Sequence, residues 1–211
     1  MRARAISREA LVEELAERIA GLPRDSYARV AVDGAPPAHP ERLADELVAP
    51  LRARGRAVLR VSAADFLRPA SLRLEYGRTD PDAFYDDWLD TGGLTREVLG
   101  PLGAQGTGKV LPALWDSRAD RAYRLPYQTL PQGAVLLLDG TLLLGRGLPF
   151  EVSAHLWLSE GALGRMTGAD ERWRLPAYAR YEREAEPLRA ADVAVRADHP
   201  ARMAVLIEGE R

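Results

Sequence analysis

The sequence of 211 residues contains no cysteine, so it can form no disulfide, no thiolate zinc site and no cysteine nucleophile. Lysine is almost as scarce, because Lys109 is the only one among 29 basic residues. With 31 acidic residues the charges nearly balance, and no long-range field attracts nucleic acid or an anionic membrane. No apolar run approaches the length of about 18 residues that a membrane span needs.

The segment before residue 23 is rich in glutamate and lacks the apolar stretch of a signal peptide, so we expect a cytoplasmic protein. The length predicts a single domain covering residues 1–211. We expect a small-molecule partner and neither nucleic acid nor a membrane, and we leave a homodimer open. No two histidines have metal-ligand spacing, so the sequence predicts no metal site.

Short apolar segments alternate with helical patterns along the chain. The patterns predict strands at 29–33, 57–61, 134–138, 155–158, 192–195 and 203–207. They predict helices at 8–20, 41–54, 95–102, 160–167 and 175–186, and loops with at most a short hairpin at 103–133. Such alternation is typical of an α/β fold, a parallel sheet of about five strands with helices on both faces.

The first predicted strand leads into an altered phosphate-binding loop. A strand, a glycine, a short loop and a helix form the frame of the motif G-x-x-x-x-G-K-[ST]. On that frame Gly34 takes the first glycine position, whereas His39, Pro40 and Glu41 replace glycine, lysine and the hydroxyl residue. The sequence thus predicts the architecture of a nucleotide-binding protein without its phosphate chemistry.

Four segments in order are VAVDGAPPA ending at residue 38, RVSAADFLRP (60–69), VLLLDGTLLL (135–144) and RWRLPAYARYEREAEPLRAADVAV (172–195). Together they resemble the uridine kinase and phosphoribulokinase group of P-loop kinases, especially its actinobacterial uridine kinase-like branch. The resemblance covers roughly residues 8–200 and implies the P-loop kinase fold. It also implies that the third segment is the Walker B strand and that a short lid lies at about 165–187.

The departures from the family pattern fall where the family performs its chemistry. Pro40 replaces the lysine and removes an amide N–H at the same position. Glu41 puts a carboxylate beside the expected triphosphate, and two like charges about 4 Å apart repel by roughly 4 kcal/mol at an effective dielectric constant near 20. Ala64 stands where the family carries the aspartate that accepts the substrate proton.

The resemblance leaves three groups of candidate site residues. The remnant of the nucleotide site consists of Gly34, Arg42, Asp139, Arg172 and Arg174. The residues that could still do acid–base chemistry are Asp65 and His39. The expected substrate pocket consists of Phe66, Tyr76, Phe84, Tyr85, Trp88 and Tyr181, for which ordinary packing is the competing interpretation. His155 lies inside a predicted strand, and we interpret it as a core or edge histidine whose hydrogen bonds are satisfied.

These features favour a uridine kinase-like pseudokinase that binds a nucleoside or another small molecule without efficient phosphoryl transfer. One alternative is a repurposed enzyme that works without ATP through Asp65, His39 or Asp139. Another is an active kinase that binds nucleotide through Arg42 and the lid arginines, and only this alternative requires Mg-ATP.

Overall fold

The computed structural model describes residues 2–199 and 201–207. Seven strands of these residues form one sheet. They are β1 (Arg2–Ile6), β2 (Ala28–Gly34), β3 (Val58–Ser62), β4 (Val135–Gly140), β5 (Val152–Trp157), β6 (Val193–Arg196) and β7 (Met203–Ile207). Their order across the sheet is β1-β7-β6-β5-β2-β4-β3.

The five strands β3, β4, β2, β5 and β6 are parallel, which confirms the predicted α/β architecture. The predicted number of strands was too low, because β7 and β1 add an antiparallel pair at one edge. Four of the five residues of β1 are exposed, so the segment carries no apolar alternation that would predict a strand. The segment becomes a strand only through its hydrogen bonds to β7, which lies close to the other end of the chain.

Eight α-helices of the described chain surround the sheet. They are α1 (Arg8–Ala20), α2 (Pro40–Ala53), α3 (Ala70–Arg73), α4 (Pro81–Asp86), α5 (Thr91–Leu94), α6 (Glu160–Met166), α7 (Leu175–Glu184) and α8 (Pro187–Ala190). The helix predicted at 95–102 is a π turn over Thr95–Leu99 followed by a 3-10 turn over Gly100–Leu102. The 103–133 segment contains two pairs of two-residue strands instead of at most one hairpin.

The hydrophobic core covers both faces of the sheet. Alternate residues of β4 show this, since Val135 and Leu137 pack in one cluster and Leu136 and Leu138 in another. Successive side chains of a strand point to opposite faces, and a central parallel strand is therefore apolar throughout. No helix in the described ranges is long and apolar enough to cross a membrane.

Candidate functional site

A cavity of about 520 Å³ lies at the carboxyl ends of β2, β3 and β4, and we call it the loop cavity. Ligands of parallel α/β sheets bind at this edge. The cavity joins the altered loop to the end of β4 and to aromatic residues of the segment after β3. Its lining includes Gly34, Glu41, Ala64, Phe84, Trp88 and Asp139.

The backbone of the loop between β2 and α2 keeps two constraints of a P-loop. A Cβ added to Gly34 would lie 3.1 Å from the Cβ and the carbonyl oxygen of Leu156, so this position accepts little beyond glycine. His39 has a φ of 56°, in the left-handed region that glycine adopts most easily. The two positions that the frame assigns to glycine therefore have glycine-like requirements, although only one of them holds glycine.

The amides of the same loop offer little to a phosphate. Positions 36, 37 and 40 are prolines, which have no N–H. The amides of Ala38 and His39 donate within the loop, to the carbonyls of Ala35 and Pro36, at 2.8 and 3.0 Å. A P-loop binds phosphates with outward-pointing amides, and few of the amides here remain free for that role.

Asp139, which the resemblance assigns to the Walker B position, forms an ion pair with an arginine. Asp139 is 5% exposed, and the Nη1 group of Arg60 donates to its Oδ1 at 2.5 Å. Ser62 Oγ donates to its Oδ2 at 3.3 Å. Burial raises the pKa of the Asp139 carboxyl, and the Arg60 guanidinium opposes that rise. The carboxylate thus already has a cationic partner from its own chain.

Sequence reasoning missed Arg60, although the signal was present. Arg60 interrupts the apolar segment 57–61, which becomes β3 in the parallel sheet. A charged residue in such a strand requires a partner, because long charged side chains are rarely buried unpaired. Besides Asp139, Arg60 contacts Asp45 Oδ1 at 2.9 Å and the carbonyl of Glu41 at 3.3 Å, so it links the sheet to α2.

Glu41 itself pairs with His39, since the Oε1 atom of Glu41 lies 2.9 Å from the Nδ1 atom of His39. Both side chains are nearly half exposed. Glu41 also lines the loop cavity, in the first turn of α2. Arg42 is exposed and has no ion pair in the described part of the chain.

Of the two lid arginines, only Arg174 reaches the loop cavity. Its guanidinium lies over the rings of Phe84, Trp88 and Trp173, at 4.9, 5.3 and 5.0 Å from their centroids. Arg172 is exposed. Arginine on aromatic faces gains cation–π attraction, which holds the segment around Arg174 against α4 and the residues after it.

Asp65 lies outside the lining of the loop cavity, whereas its neighbour Ala64 belongs to that lining. Tyr123 donates its hydroxyl to Asp65 Oδ1 at 3.3 Å. Burial raises the pKa of the Asp65 carboxyl, and the hydrogen bond from Tyr123 partly opposes the rise.

The six aromatic residues predicted for the substrate pocket separate into two sets. Phe84 and Trp88 line the loop cavity, with ring centroids 5.2 Å apart in an edge-to-face arrangement. The other four lie elsewhere. Phe66 is fully buried in the core cluster that contains Leu136 and Leu138, and Tyr76 is 68% exposed. The ring of Tyr85 packs against Arg146 and Arg180. Tyr181 donates its hydroxyl to the buried Asp33.

Solved structures of kinases are similar to this chain. A possible uridine kinase from Bacillus stearothermophilus is 17% identical, with 87% of this chain and 96% of that chain covered and a TM-score of 0.70. A putative fructose transport system kinase from Silicibacter sp. TM1040 is 22% identical, with 93% and 96% covered and a TM-score of 0.59. No family model and no curated protein matches the sequence.

The chain therefore has the fold of the P-loop kinases. This confirms the architecture that the four sequence segments implied. Similarity at these identities extends to the fold, and function has to be argued from the site itself.

Proposed function

We propose that this protein is a kinase-fold protein that binds a small planar molecule in the loop cavity and does not transfer phosphate efficiently from ATP. The observation that carries the proposal is the ion pair between Asp139 and Arg60. In P-loop kinases an aspartate at this position helps to hold Mg²⁺. A guanidinium 2.5 Å from that carboxylate opposes the approach of a divalent cation.

The loop adds two further obstacles to a magnesium triphosphate. Pro40 provides neither an ammonium group nor an amide N–H, and Glu41 brings a negative charge. Ala64 has no group that accepts a proton from a substrate hydroxyl. These residues do not fit the cofactor of the P-loop kinases, and we derive no catalytic step through it.

The cavity nevertheless suits a ligand with a flat ring and hydrogen-bond acceptors. The Trp88 Nε1 and Arg174 Nε groups are buried donors without a partner among the described residues. A buried donor without an acceptor loses roughly 1–3 kcal/mol of solvation, which an acceptor on a ligand would restore. A nucleobase combines a ring that packs against Phe84 and Trp88 with carbonyl oxygens that accept from these donors.

The test is a measurement of thermal unfolding and of phosphate transfer. Mg-ATP at millimolar concentration should leave the unfolding temperature unchanged, and uridine with Mg-ATP should yield no phosphorylated product. Uridine alone should raise the unfolding temperature, and Trp88→Ala should abolish that rise. A substantial turnover of ATP in the presence of uridine would refute the proposal.

A variant that restores the family residues tests why the protein should bind Mg-ATP poorly. His39→Gly, Pro40→Lys, Glu41→Thr and Ala64→Asp rebuild the loop and the base but leave Arg60 paired with Asp139. We expect this variant to gain little affinity for Mg-ATP until Arg60→Leu is added. Equal Mg-ATP affinity with and without Arg60→Leu would show that the ion pair is irrelevant.

A further inference from the structure

A second cavity of about 680 Å³ lies on the other side of the altered loop, between the end of β5 and helices α6 and α7. We call it the helix cavity. Its volume falls within the range of roughly 300–1,000 Å³ that is typical of small-molecule sites. Apolar side chains form most of its wall, among them Leu156, Leu158, Leu163, Leu175 and Pro176.

A buried hydrogen-bond network underlies this cavity. Asp33 is fully buried, and three groups donate to its carboxylate: the amide of Leu143 at 2.9 Å, the hydroxyl of Tyr181 at 2.9 Å and His155 Nδ1 at 2.7 Å. Tyr181 in turn accepts from the amide of Leu144 at 2.9 Å. The network fixes the orientation of the His155 ring, because Nδ1 must carry the hydrogen that Asp33 accepts.

The opposite nitrogen of the ring, Nε2, has no hydrogen-bond partner within the described chain, although His155 is only 4% exposed and lines the cavity. When the ring is neutral and carries its hydrogen on Nδ1, Nε2 is an acceptor. Thr141 and Tyr178 also line the cavity, and their hydroxyls interact with each other. Buried polar atoms in folded proteins are nearly always satisfied, so the unpaired Nε2 atom at the wall of a cavity indicates a partner from outside the chain.

The charges near Nε2 disfavour an anion. Glu182 Oε1 lies 3.9 Å from Nε2 of His155, and the Asp33 carboxylate lies behind the ring. Burial raises the pKa of Tyr178 to about 12, so its hydroxyl stays protonated and neutral. The apolar wall of the cavity therefore favours a ligand that is mostly hydrophobic, and the unpaired Nε2 atom favours a ligand with a hydrogen-bond donor at one end.

We propose that the helix cavity is a binding site for an uncharged, largely apolar molecule whose hydroxyl donates to Nε2 of His155. The His155–Asp33 pair orients the acceptor, and the leucine wall buries the body of the ligand. The site is separate from the loop cavity, although both include Thr141 in their lining.

The test compares two probes that differ in one hydrogen-bond donor. 4-Propylphenol carries a hydroxyl, whereas 4-propylanisole carries a methyl ether of similar apolar size. Binding is followed through the ¹⁵N resonances of the histidine side chains. We expect 4-propylphenol to shift the Nε2 resonance of His155 and to bind about tenfold or more tightly than the ether, as a buried hydrogen bond would give.

Two variants and two controls locate the site. In His155→Asn the amide group can keep the bond to Asp33 but nothing replaces Nε2, so the preference for the phenol should disappear. Gly164 lies in α6 at the cavity wall, and a Cβ added there meets open space, so Gly164→Leu should occupy part of the cavity and weaken both probes. His199→Asn, at an exposed site, and Trp88→Ala, in the loop cavity, should bind both probes as the unaltered protein does.

Equal affinity for the two probes, or an unchanged phenol preference in a folded His155→Asn variant, would overturn the proposal. Because Trp88 lines the loop cavity and not the helix cavity, failure at one cavity is distinguishable from failure at the other.

Discussion

Two aspartates at the carboxyl ends of neighbouring strands have different partners. Asp33, on β2, accepts from an amide, a tyrosine and a histidine, and Asp139, on β4, pairs with Arg60. The first arrangement orients a histidine toward a cavity, whereas the second neutralises a carboxylate. At the scale of residues, therefore, the partner and not the aspartate decides what each strand end can do.

Arg60→Gln should lower the free energy of unfolding at neutral pH by roughly 3 kcal/mol, because it leaves Asp139 charged, buried and unpaired. The pKa of Asp139 in the folded protein is raised by burial, so stability falls as pH rises through that pKa. Removing Arg60 raises this pKa further. Urea unfolding should therefore show the largest difference from the unaltered protein near pH 7 and a smaller one as the pH falls.

Asp45→Asn is the matched control, since it breaks only the contact of Arg60 with a side chain that is 67% exposed. It should change the stability by less than about 0.5 kcal/mol. The double variant Arg60→Gln, Asp139→Asn should recover much of the loss. A loss that is independent of pH would show that the charge of Asp139 is not its cause.

At the scale of elements, the loop between β2 and α2 keeps a backbone conformation suited to glycine but lacks the side chains and most of the free amides that bind phosphate. The loop turns through a 3-10 segment, Pro36–Ala38, and then through the left-handed His39 into α2. The side chain of His39 does not cap the helix amides, but its carbonyl accepts from the amide of Arg42 at 3.1 Å and its ring pairs with Glu41. The left-handed turn before the helix thus persists although His39 and Pro40 stand at the positions that the motif assigns to glycine and lysine.

His39→Val should lower the free energy of unfolding by about 1–2 kcal/mol, because a β-branched residue is strained at a φ of 56°. His39→Gly, at the same position, should leave the stability unchanged within about 1 kcal/mol, since glycine relieves strain but loses more entropy on folding. Chemical unfolding of the two variants measures the difference. If both variants were equally stable, the left-handed conformation of this residue would be contradicted.

At the scale of the whole molecule, β1 and β7 join segments from opposite ends of the sequence at one edge of the sheet. Residues Arg2 to Ile6 pair with Ile207 to Met203 in antiparallel register. β7 also pairs with β6, the last of the parallel strands. The segment near the start of the chain therefore covers an edge that β7 would otherwise expose.

Deleting residues 2–6 should speed hydrogen exchange of the amides in β7 by at least about tenfold, because one side of that strand loses its partner. The amides of β2, at the centre of the sheet, should keep their protection apart from any global loss of stability. Alanine at Arg2 and Arg4, which leaves the backbone pairing intact, is the control. Unchanged exchange of β7 in the deletion variant would contradict the pairing.

The predictions from sequence succeeded where a local pattern sufficed. The apolar spacing of Leu43, Leu47 and Leu51 predicted α2, and these side chains are fully buried. The segment 134–138 predicted β4, which begins at Val135. The interpretation of His155 as a core or edge histidine agrees with its burial, but the expectation that its hydrogen bonds are satisfied was wrong, because Nε2 has no hydrogen-bond partner among the described residues. Its bond to Asp33 was not foreseen.

By itself the sequence determined the alternation of strands and helices, the substitutions in the loop and the absence of thiol chemistry, because each follows from residue types at short separation. Only the tertiary structure decided which charges meet. Arg60 and Asp139 are 79 residues apart, and Asp33 and His155 are 122 apart. Parallel pairing of β4 with β3 and of β2 with β5 brings them together, and no local pattern encodes such contacts.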